Sequence, residues 1–197
     1  MNSVHIVGNG LFGTFLGGLF QQYGIEQDTN SDHVILAVPF DAYEEVSAQY
    51  KGKHLINVCS VQELSNNICI QNSDRVTGIH PMFGPRSPKE GRSVLLTHVC
   101  KDSEIILDVF RACECEIIKE LPDGRAIDGM LHDQMMALTH GATVILADQL
   151  KPVVENANWI PENCLPASFK QVRNVVNQLG DMSEGTASSI KANRYLE

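Results

Sequence analysis

Val4-His5-Ile6-Val7-Gly8-Asn9-Gly10-Leu11-Phe12-Gly13 decides how this chain is read. Val4 to Val7 is a short β-rich run, and an apolar helical pattern follows the glycines to about Tyr23. This is GxGxxG in its required setting, after a strand and opening a helix. Gly8 permits the tight turn, Gly10 lets backbone approach a pyrophosphate, and Gly13 allows close helix–strand packing. The helix start then offers free N–H groups and the positive end of a dipole to phosphates. The stretch predicts a dinucleotide site built from Gly8, Asn9, Gly10, Leu11, Phe12 and Gly13, with a glycine-rich turn that only packs as the alternative. Gly17-Gly18, inside the helix, reads as packing against the sheet.

Downstream the pattern breaks. A complete nucleotide-binding unit carries a second strand ending in an acidic residue about 20 positions after the glycines, then a helix. Only Ile25 to Ser31 separates Gly24 from Asp32, too little for a strand of about 5 residues and a helix of about 10. The second strand is vestigial or its helix is missing. Asp28 is the acidic candidate for a ribose hydroxyl. No Arg or Lys lies nearby to receive a 2′-phosphate, which favours NAD over NADP.

Val34 to Pro39 reads as a buried parallel strand closed by proline, placing Val38 and Pro39 beside the glycine loop. Asp41 to Tyr50 reads as a helix, His54 to Val61 as a strand with Ser60 near its carboxyl end, and Glu63 to Asn67 as a short helix. Val76 to Ile79 and Ser93 to Val99 are further strands, Ile105 to Cys113 a helix, and Glu116 to Lys119 an edge strand. Alternating strands and helices predict a mostly parallel α/β sheet of Rossmann type. In such sheets ligands bind outside the carboxyl ends of the strands. The octamer Gly78-Ile79-His80-Pro81-Met82-Phe83-Gly84-Pro85 puts His80 at such an end. The proline after it favours an extended backbone, and imidazole suits proton transfer near neutral pH. One crevice could collect the glycine loop, Ser60 and His80.

The formal net charge of -9 argues against a nucleic-acid-binding surface. No run approaches the roughly 18 apolar residues of a membrane span. The chain starts on a strand pattern without a basic leader, so a cytoplasmic location is expected. The six cysteines form no CxxC pair and read as small buried hydrophobes in a reducing compartment.

After Pro122-Asp123-Gly124 the pattern becomes helical, dividing the chain into residues 1–122 and a small all-helical part, 123–197. A helix of about 25 residues keeps Ile127, Met130, Leu131, Met135, Leu138, Ala142, Ile145 and Leu146 at three/four spacing, with His132, Met136 and His140 along one flank. Histidines eight apart lie about 12 Å apart along a helix axis, so no zinc site is expected. Lys151 to Pro166 reads as irregular, and a helix from Ser168 to Leu179 buries Phe169, Val172, Val176 and Leu179, with Arg173 beside the stripe and Gly180 as C-cap. A last helix starts near Ser183.

Taken together, Val7-Gly8-Asn9-Gly10-Leu11-Phe12-Gly13, Ile35 to Pro39, Cys59-Ser60-Val61, Gly78 to Gly84, Leu131-His132-Asp133 and, more loosely, Val172-Arg173 resemble the prephenate/arogenate dehydrogenases of tyrosine biosynthesis, in family order over nearly the whole chain. The resemblance implies a nucleotide domain followed by a helical domain that carries a homodimer interface, a small-molecule substrate, and NAD or NADP as cofactor. It implies His80 as the base that takes the proton of the substrate's ring hydroxyl, and Ser60 as the serine that orients it. Arg173 falls at an arginine that binds a substrate carboxylate, and His140 near a substrate-side histidine. The chain departs from the family at Gln62, where lysine is usual, in the short second-strand region and in an abbreviated helical half. The alternatives are another small two-domain NAD(P) reductase, and a catalytically weak ligand-binding or sensor protein.

Overall fold

Alternation sets the first strand: in β1 (Ser3–Val7), Val4 and Ile6 are buried while their neighbours are half-buried. The computed structural model describes residues 3–180 and 184–196. α1 (Leu11–Gln22) follows the glycine turn, then β2 (Glu26–Gln27), β3 (His33–Leu36), α2 (Tyr43–Ala48), β4 (His54–Asn57), α3 (Gln62–Asn72), β5 (Val76–Pro81), β6 (Ser93–His98), α4 (Ser103–Ala112) and β7 (Glu116–Ile118). The sheet order is β2-β1-β3-β4-β5-β6-β7, parallel throughout except where β6 runs antiparallel to β5. This is the mostly parallel α/β architecture expected from the alternation of elements.

Both faces of the central strands are covered, which is why they read as continuous apolar runs. On one face Ile6, Ile35, Ile56 and Ile79 pack with Leu16 and Phe20 of α1 and Ile106 and Phe110 of α4. On the other, Val34, Leu36, Leu55 and Val76 pack with Tyr43 of α2 and Cys69 of α3. Phe20 and Phe110 meet edge to face at 5.4 Å, an arrangement worth about 1 kcal/mol beyond the burial itself.

β2 is a stub of two residues, and no helix follows it. Ser3 pairs with Glu26 and Val4 with Gln27. The chain then turns at Asp28–Ser31, where the Asp28 N–H donates to Val4 O at 2.9 Å and Ser31 Oγ donates to Ser3 O at 3.1 Å. It passes the amino end of β1 and enters β3 on the other side. Both halves of the expectation hold: the strand is vestigial and the helix is missing.

Several boundaries differ from the sequence reading. β4 stops at Asn57 rather than Val61, because Asn57 Oδ1 accepts the Cys59 N–H at 2.9 Å and turns the chain out of the sheet. α3 runs on to Asn72. In the helix after Gly124, α5 (Gly129–Met136), a π-helical turn (Ala137–Gly141) and α6 (Ala142–Asn156) run on without a break. α6 continues through Pro152, where an irregular stretch was expected. Its apolar stripe is largely turned outward: Met130, Leu138, Ile145 and Leu146 are exposed, while His132, Asp133, Met136 and Ala137 are buried. The reason is that His132 and Asp133 satisfy each other and groups on β5 and α3, as described below. α7 (Ala167–Gly180) packs on α6 through Ala147, Val154, Val176, Phe169 and Leu179, with Val172 exposed. α8 (Glu184–Lys191) closes the fold. Gly180, expected as the C-cap, is the last residue of α7, and the helix start expected near Ser183 lies outside the described residues. Gly17 does pack, against Gln27 and Ile6, but Gly18 faces open space. Of the cysteines, Cys59, Cys69, Cys113 and Cys115 are buried, but Cys100 is half-buried and Cys164 exposed.

A histidine network lies at the amino end of the sheet. His33 Nδ1 and His54 Nδ1 share one proton at 2.9 Å, His54 Nε2 meets Thr77 Oγ1 at 2.7 Å, and Thr77 Oγ1 meets Ser103 Oγ at 2.7 Å. Burial, then the neighbouring His33, push His54 down to about 4, so both rings are neutral at pH 7.

Candidate active site

The glycine loop closes tightly on β3. Gly8 sits at φ +116°, and a Cβ there would lie 2.2 Å from Ala37 O. A Cβ on Gly13 would lie 2.1 Å from Gly8 O, so the helix start rests directly on the loop. A Cβ on Gly10 would meet nothing within 4 Å, leaving open space over the first turn of α1. No side chain caps that helix. These are the features a pyrophosphate cradle needs. The Ala37 N–H donates to Val7 O at 2.8 Å, and Tyr43 Oη donates to Leu36 O at 2.7 Å, fixing Val38 and Pro39 beside the loop.

A crevice of about 670 Å³ runs from this loop along the carboxyl ends of the strands. Gly10, Leu11 and Phe12 line one end, Val38 and Pro39 follow, and Ser60, His80 and His140 line the rest. Its size is that of a small-molecule site. His80, Ser60 and His140 also surround a narrow recess with Asn193 and Leu196 behind them.

His80 is held through a chain of charge and hydrogen bonds that comes from the helical half. His80 Nδ1 lies 2.8 Å from His132 Nε2, and the rings meet edge to face. His132 Nδ1 lies 2.8 Å from Asp133 Oδ1. A carboxylate only accepts, so with a neutral ring His132 carries its proton on Nδ1 and leaves Nε2 as acceptor. His80 then carries its proton on Nδ1, and its Nε2, unpartnered among the described residues, is the basic atom at the crevice. Burial, then His132 and His140, hold His80 well below the usual histidine range, so it is neutral at pH 7.

Asp133 has a second task. Its Oδ1 accepts the Gln62 N–H at 2.7 Å and its Oδ2 the Glu63 N–H at 3.0 Å. The carboxylate of α5 thus caps α3, whose own N-cap residue Val61 offers no side-chain bond. Gly129 permits the approach: a Cβ there would lie 2.8 Å from Glu63 Cα. Asn193 Nδ2 donates to Asp133 O at 2.8 Å and seals the pair from the chain's far end. Gln62 is wholly buried; its Nε2 donates to Cys59 O at 2.5 Å and Ile79 O at 3.0 Å, and its Oε1 accepts from Thr97 Oγ1 at 2.5 Å. It ties the Ser60 loop to the strand residue before His80.

The sequence-derived residues are distributed unevenly. The structure brings Gly10, Leu11, Phe12, Val38, Pro39, Ser60, His80 and His140 to one crevice, with Gly8 and Gly13 shaping its floor. Asn9 accepts from Thr14 Oγ1 through its carbonyl at 3.2 Å. Ser60 lies beside His80 but makes no hydrogen bond to it among the described residues; the partner of His80 is His132. The π-helical turn carries His140 back toward the face of His132 by widening the turn. Asp28 is exposed, in the turn after β2, and its carboxylate accepts the Asn30 N–H at 2.9 Å. Arg173 is paired with Glu162 at 2.6 Å and does not line the crevice, although Gln178 on the same helix does. The roles of His132, Asp133 and Gln62 were missed by sequence reasoning. The available signal was the adjacent His-Asp pair on a helix whose apolar stripe lay elsewhere.

No protein-family model matches the chain. A curated relative, the "Probable arogenate/prephenate dehydrogenase" of Methanocaldococcus jannaschii, is 27% identical over 139 residues, 65% of this chain. The match spans 30% of that relative's length. Among solved structures, prephenate dehydrogenase from Aquifex aeolicus, in complex with hydroxyphenyl propionate and NAD+, superposes with a TM-score of 0.64 at 16% identity, covering 97% of this chain and 86% of that one. Arogenate dehydrogenase from Synechocystis superposes with a TM-score of 0.66 at 16% identity, covering 98% and 85%. These comparisons bear out the resemblance read from the motifs, and the structural likeness shows a shared fold.

Proposed function

We propose that this chain is a nicotinamide-dependent oxidoreductase that oxidatively decarboxylates prephenate or arogenate, giving 4-hydroxyphenylpyruvate or tyrosine. The observation that carries the reading is the His80–His132–Asp133 chain, which leaves a bare imidazole nitrogen at a crevice that begins on a phosphate-binding loop. The similarity to a curated dehydrogenase supports the substrate class.

His80 Nε2 takes the proton of the hydroxyl at ring carbon C4. The imidazolium so formed keeps its Nδ1–H bond to His132, whose own Nδ1–H is held by Asp133, so a carboxylate one ring away meets the new positive charge. A nicotinamide bound on the loop would supply the acceptor for the hydride that leaves C4. Loss of carbon dioxide from C1 would then aromatise the ring, its electron pair passing to the C4 oxygen, which takes the proton back from His80 Nε2. The remaining work of the protein is positioning and electrostatics. Gly8, Gly10, Gly13 and the start of α1 would hold the pyrophosphate, and Val38 and Pro39 would flank the nicotinamide side. Ser60 and His140 border the space between the loop and His80. Arg86 lines this crevice, and an arginine suits a substrate carboxylate. Arg173 would join it only by leaving Glu162.

The same reading divides the chain into a nucleotide part, residues 1–122, and a helical part, 123–197. It places a second copy on the exposed apolar side chains Leu138, Leu146, Val153 and Val175. A cytoplasmic location belongs to the same reading. No described helix is long and apolar enough to cross a membrane.

The test is His80→Asn, followed by the absorbance of reduced nicotinamide with prephenate and with arogenate. Turnover should fall about 10³-fold, within the range for a lost general base, while nucleotide binding measured by fluorescence is kept. Undiminished turnover overturns the assignment. A second reading, a ligand-binding homologue with little turnover, draws on the missing helix after β2.

A further inference from the structure

The crevice is lopsided, and the side it lacks is the one that would hold adenosine. In a complete nucleotide-binding unit the second strand climbs to the level of the glycine loop, and an acidic residue at its end takes the adenosine ribose. Here β2 ends at Gln27, level with Val4, while the loop begins after Val7. Three residues of strand, about 10 Å, are missing. Asp28 follows at once: its N–H donates to Val4 O, its carbonyl accepts the Ser31 N–H, and its Oδ1 accepts the Asn30 N–H, so it stands in the turn and not at a strand end beside the loop. The turn itself is tied down to Ser3 O, at the opposite end of the strand from the loop. The crevice lining passes from Phe12 to Leu36 without a residue from between them. The pyrophosphate cradle is intact on the same side: Gly8 and Gly13 keep their close approaches, and the space over Gly10 is open.

We infer that this chain recognises its cofactor as a nicotinamide mononucleotide: the cradle and the crevice bind the nicotinamide ribotide and its phosphate, and the adenosine end is not read. The inference rests on the oxidoreductase reading above and narrows it. Two consequences follow from the same residues. The segment from Ile25 to Asp32 holds no Arg or Lys, and none of its carboxylates lines the crevice, so NAD and NADP bind alike. Adenosine nucleotides without nicotinamide find nothing to hold them beyond the phosphate cradle.

Isothermal titration calorimetry of the whole chain with NAD, NADP and nicotinamide mononucleotide tests this, with AMP as competitor. The mononucleotide should bind within ~10-fold of NAD, less than one hydrogen bond to a charged group is worth, and NADP within ~3-fold of NAD, since no charge pair meets its phosphate. AMP should displace the mononucleotide no better than inorganic phosphate does. A preference for NAD over the mononucleotide larger than ~10-fold, or displacement by AMP well beyond that by phosphate, overturns the inference and leaves the oxidoreductase reading standing. No heat with any of the nicotinamide nucleotides overturns the oxidoreductase reading itself, and this inference with it.

Discussion

His80 Nδ1 and His132 Nε2 are 2.8 Å apart, although 52 residues separate them in sequence. One ring lies near the carboxyl end of β5 in the sheet and the other on α5. Because a carboxylate fixes the proton of His132, the contact also fixes the tautomer of His80. Asp133→Asn tests this. An asparagine amide can donate to His132 Nδ1 and so reverse the order of donors and acceptors down to His80, leaving the proton on Nε2. Turnover should fall about 10²–10⁴-fold, as in other carboxylate-to-amide changes behind a histidine base, with the Michaelis constant nearly unchanged. The loss of a charged cap from α3 should also cost about 1 kcal/mol of stability, read from urea unfolding. A variant with normal turnover would show that His132 and Asp133 serve packing alone.

The pH dependence of turnover follows from the burial of His80. Its affinity for protons in the folded chain is depressed, so the neutral, basic form persists as pH falls through the range where an exposed histidine charges. Turnover at about pH 6 should stay within ~2-fold of that at about pH 8, as far as His80 controls it. The acid limb should appear only lower. A limb centred near 6.5, the ordinary histidine value, would mean that water reaches the ring.

Stability should depend on pH through the other histidine pair. His54 has a value of about 4 in the folded chain against 6.5 unfolded. Between those values the unfolded chain binds more protons, so stability is complete above about 6.5 and is lost as pH falls towards 4. At about 1.4 kcal/mol per unit, the window carries up to about 3 kcal/mol. Urea unfolding across a pH series should show this slope, and His54→Gln, which keeps a polar partner for Thr77, should flatten it. Equal slopes in the two proteins would remove His54 as the cause.

Two glycines of one motif should separate stability from binding. Gly8→Ala puts a Cβ against Ala37 O at a left-handed φ, with strain and overpacking costing about 3 kcal/mol together. Gly10→Ala has room for its Cβ and ordinary extended backbone, so stability should change by less than about 1 kcal/mol. It should weaken nucleotide binding instead. Unfolding curves and titrations of both variants decide the matter, and equal losses of stability would sink the distinction.

The sheet was legible because both its faces are buried: Val34 to Leu36 and Leu55 to Ile56 need no partner to be recognised as core. The stunted β2 was legible by arithmetic, from the few residues between Gly24 and Asp32. The place of His80 in the crevice lining was legible because a histidine before proline, at the end of an apolar run, can project outside the carboxyl end of its strand instead of into the core. The inward face of α5 was not legible. Periodicity assigns apolar residues to the inside, yet here His132 and Asp133 go in, because their partners wait on β5 and α3. Those partners lie 52 to 71 residues away and have no local signature. The π-helical turn at Ala137–Gly141 then changes the phase of everything after it, which a fixed period does not anticipate. Arg173 illustrates the converse: a motif position supplies a residue type, and the neighbouring Glu162 decides where its charge goes.

Asp133 couples folding to chemistry. The same carboxylate that orients His132, and through it His80, also finishes α3, across a contact so close that Gly129 admits no side chain. A chain whose helical half has not yet docked therefore has an unfinished helix and an unoriented histidine at once. The orientation of His80 and the end of α3 are therefore completed together, by one contact between the sheet and the helices that follow it.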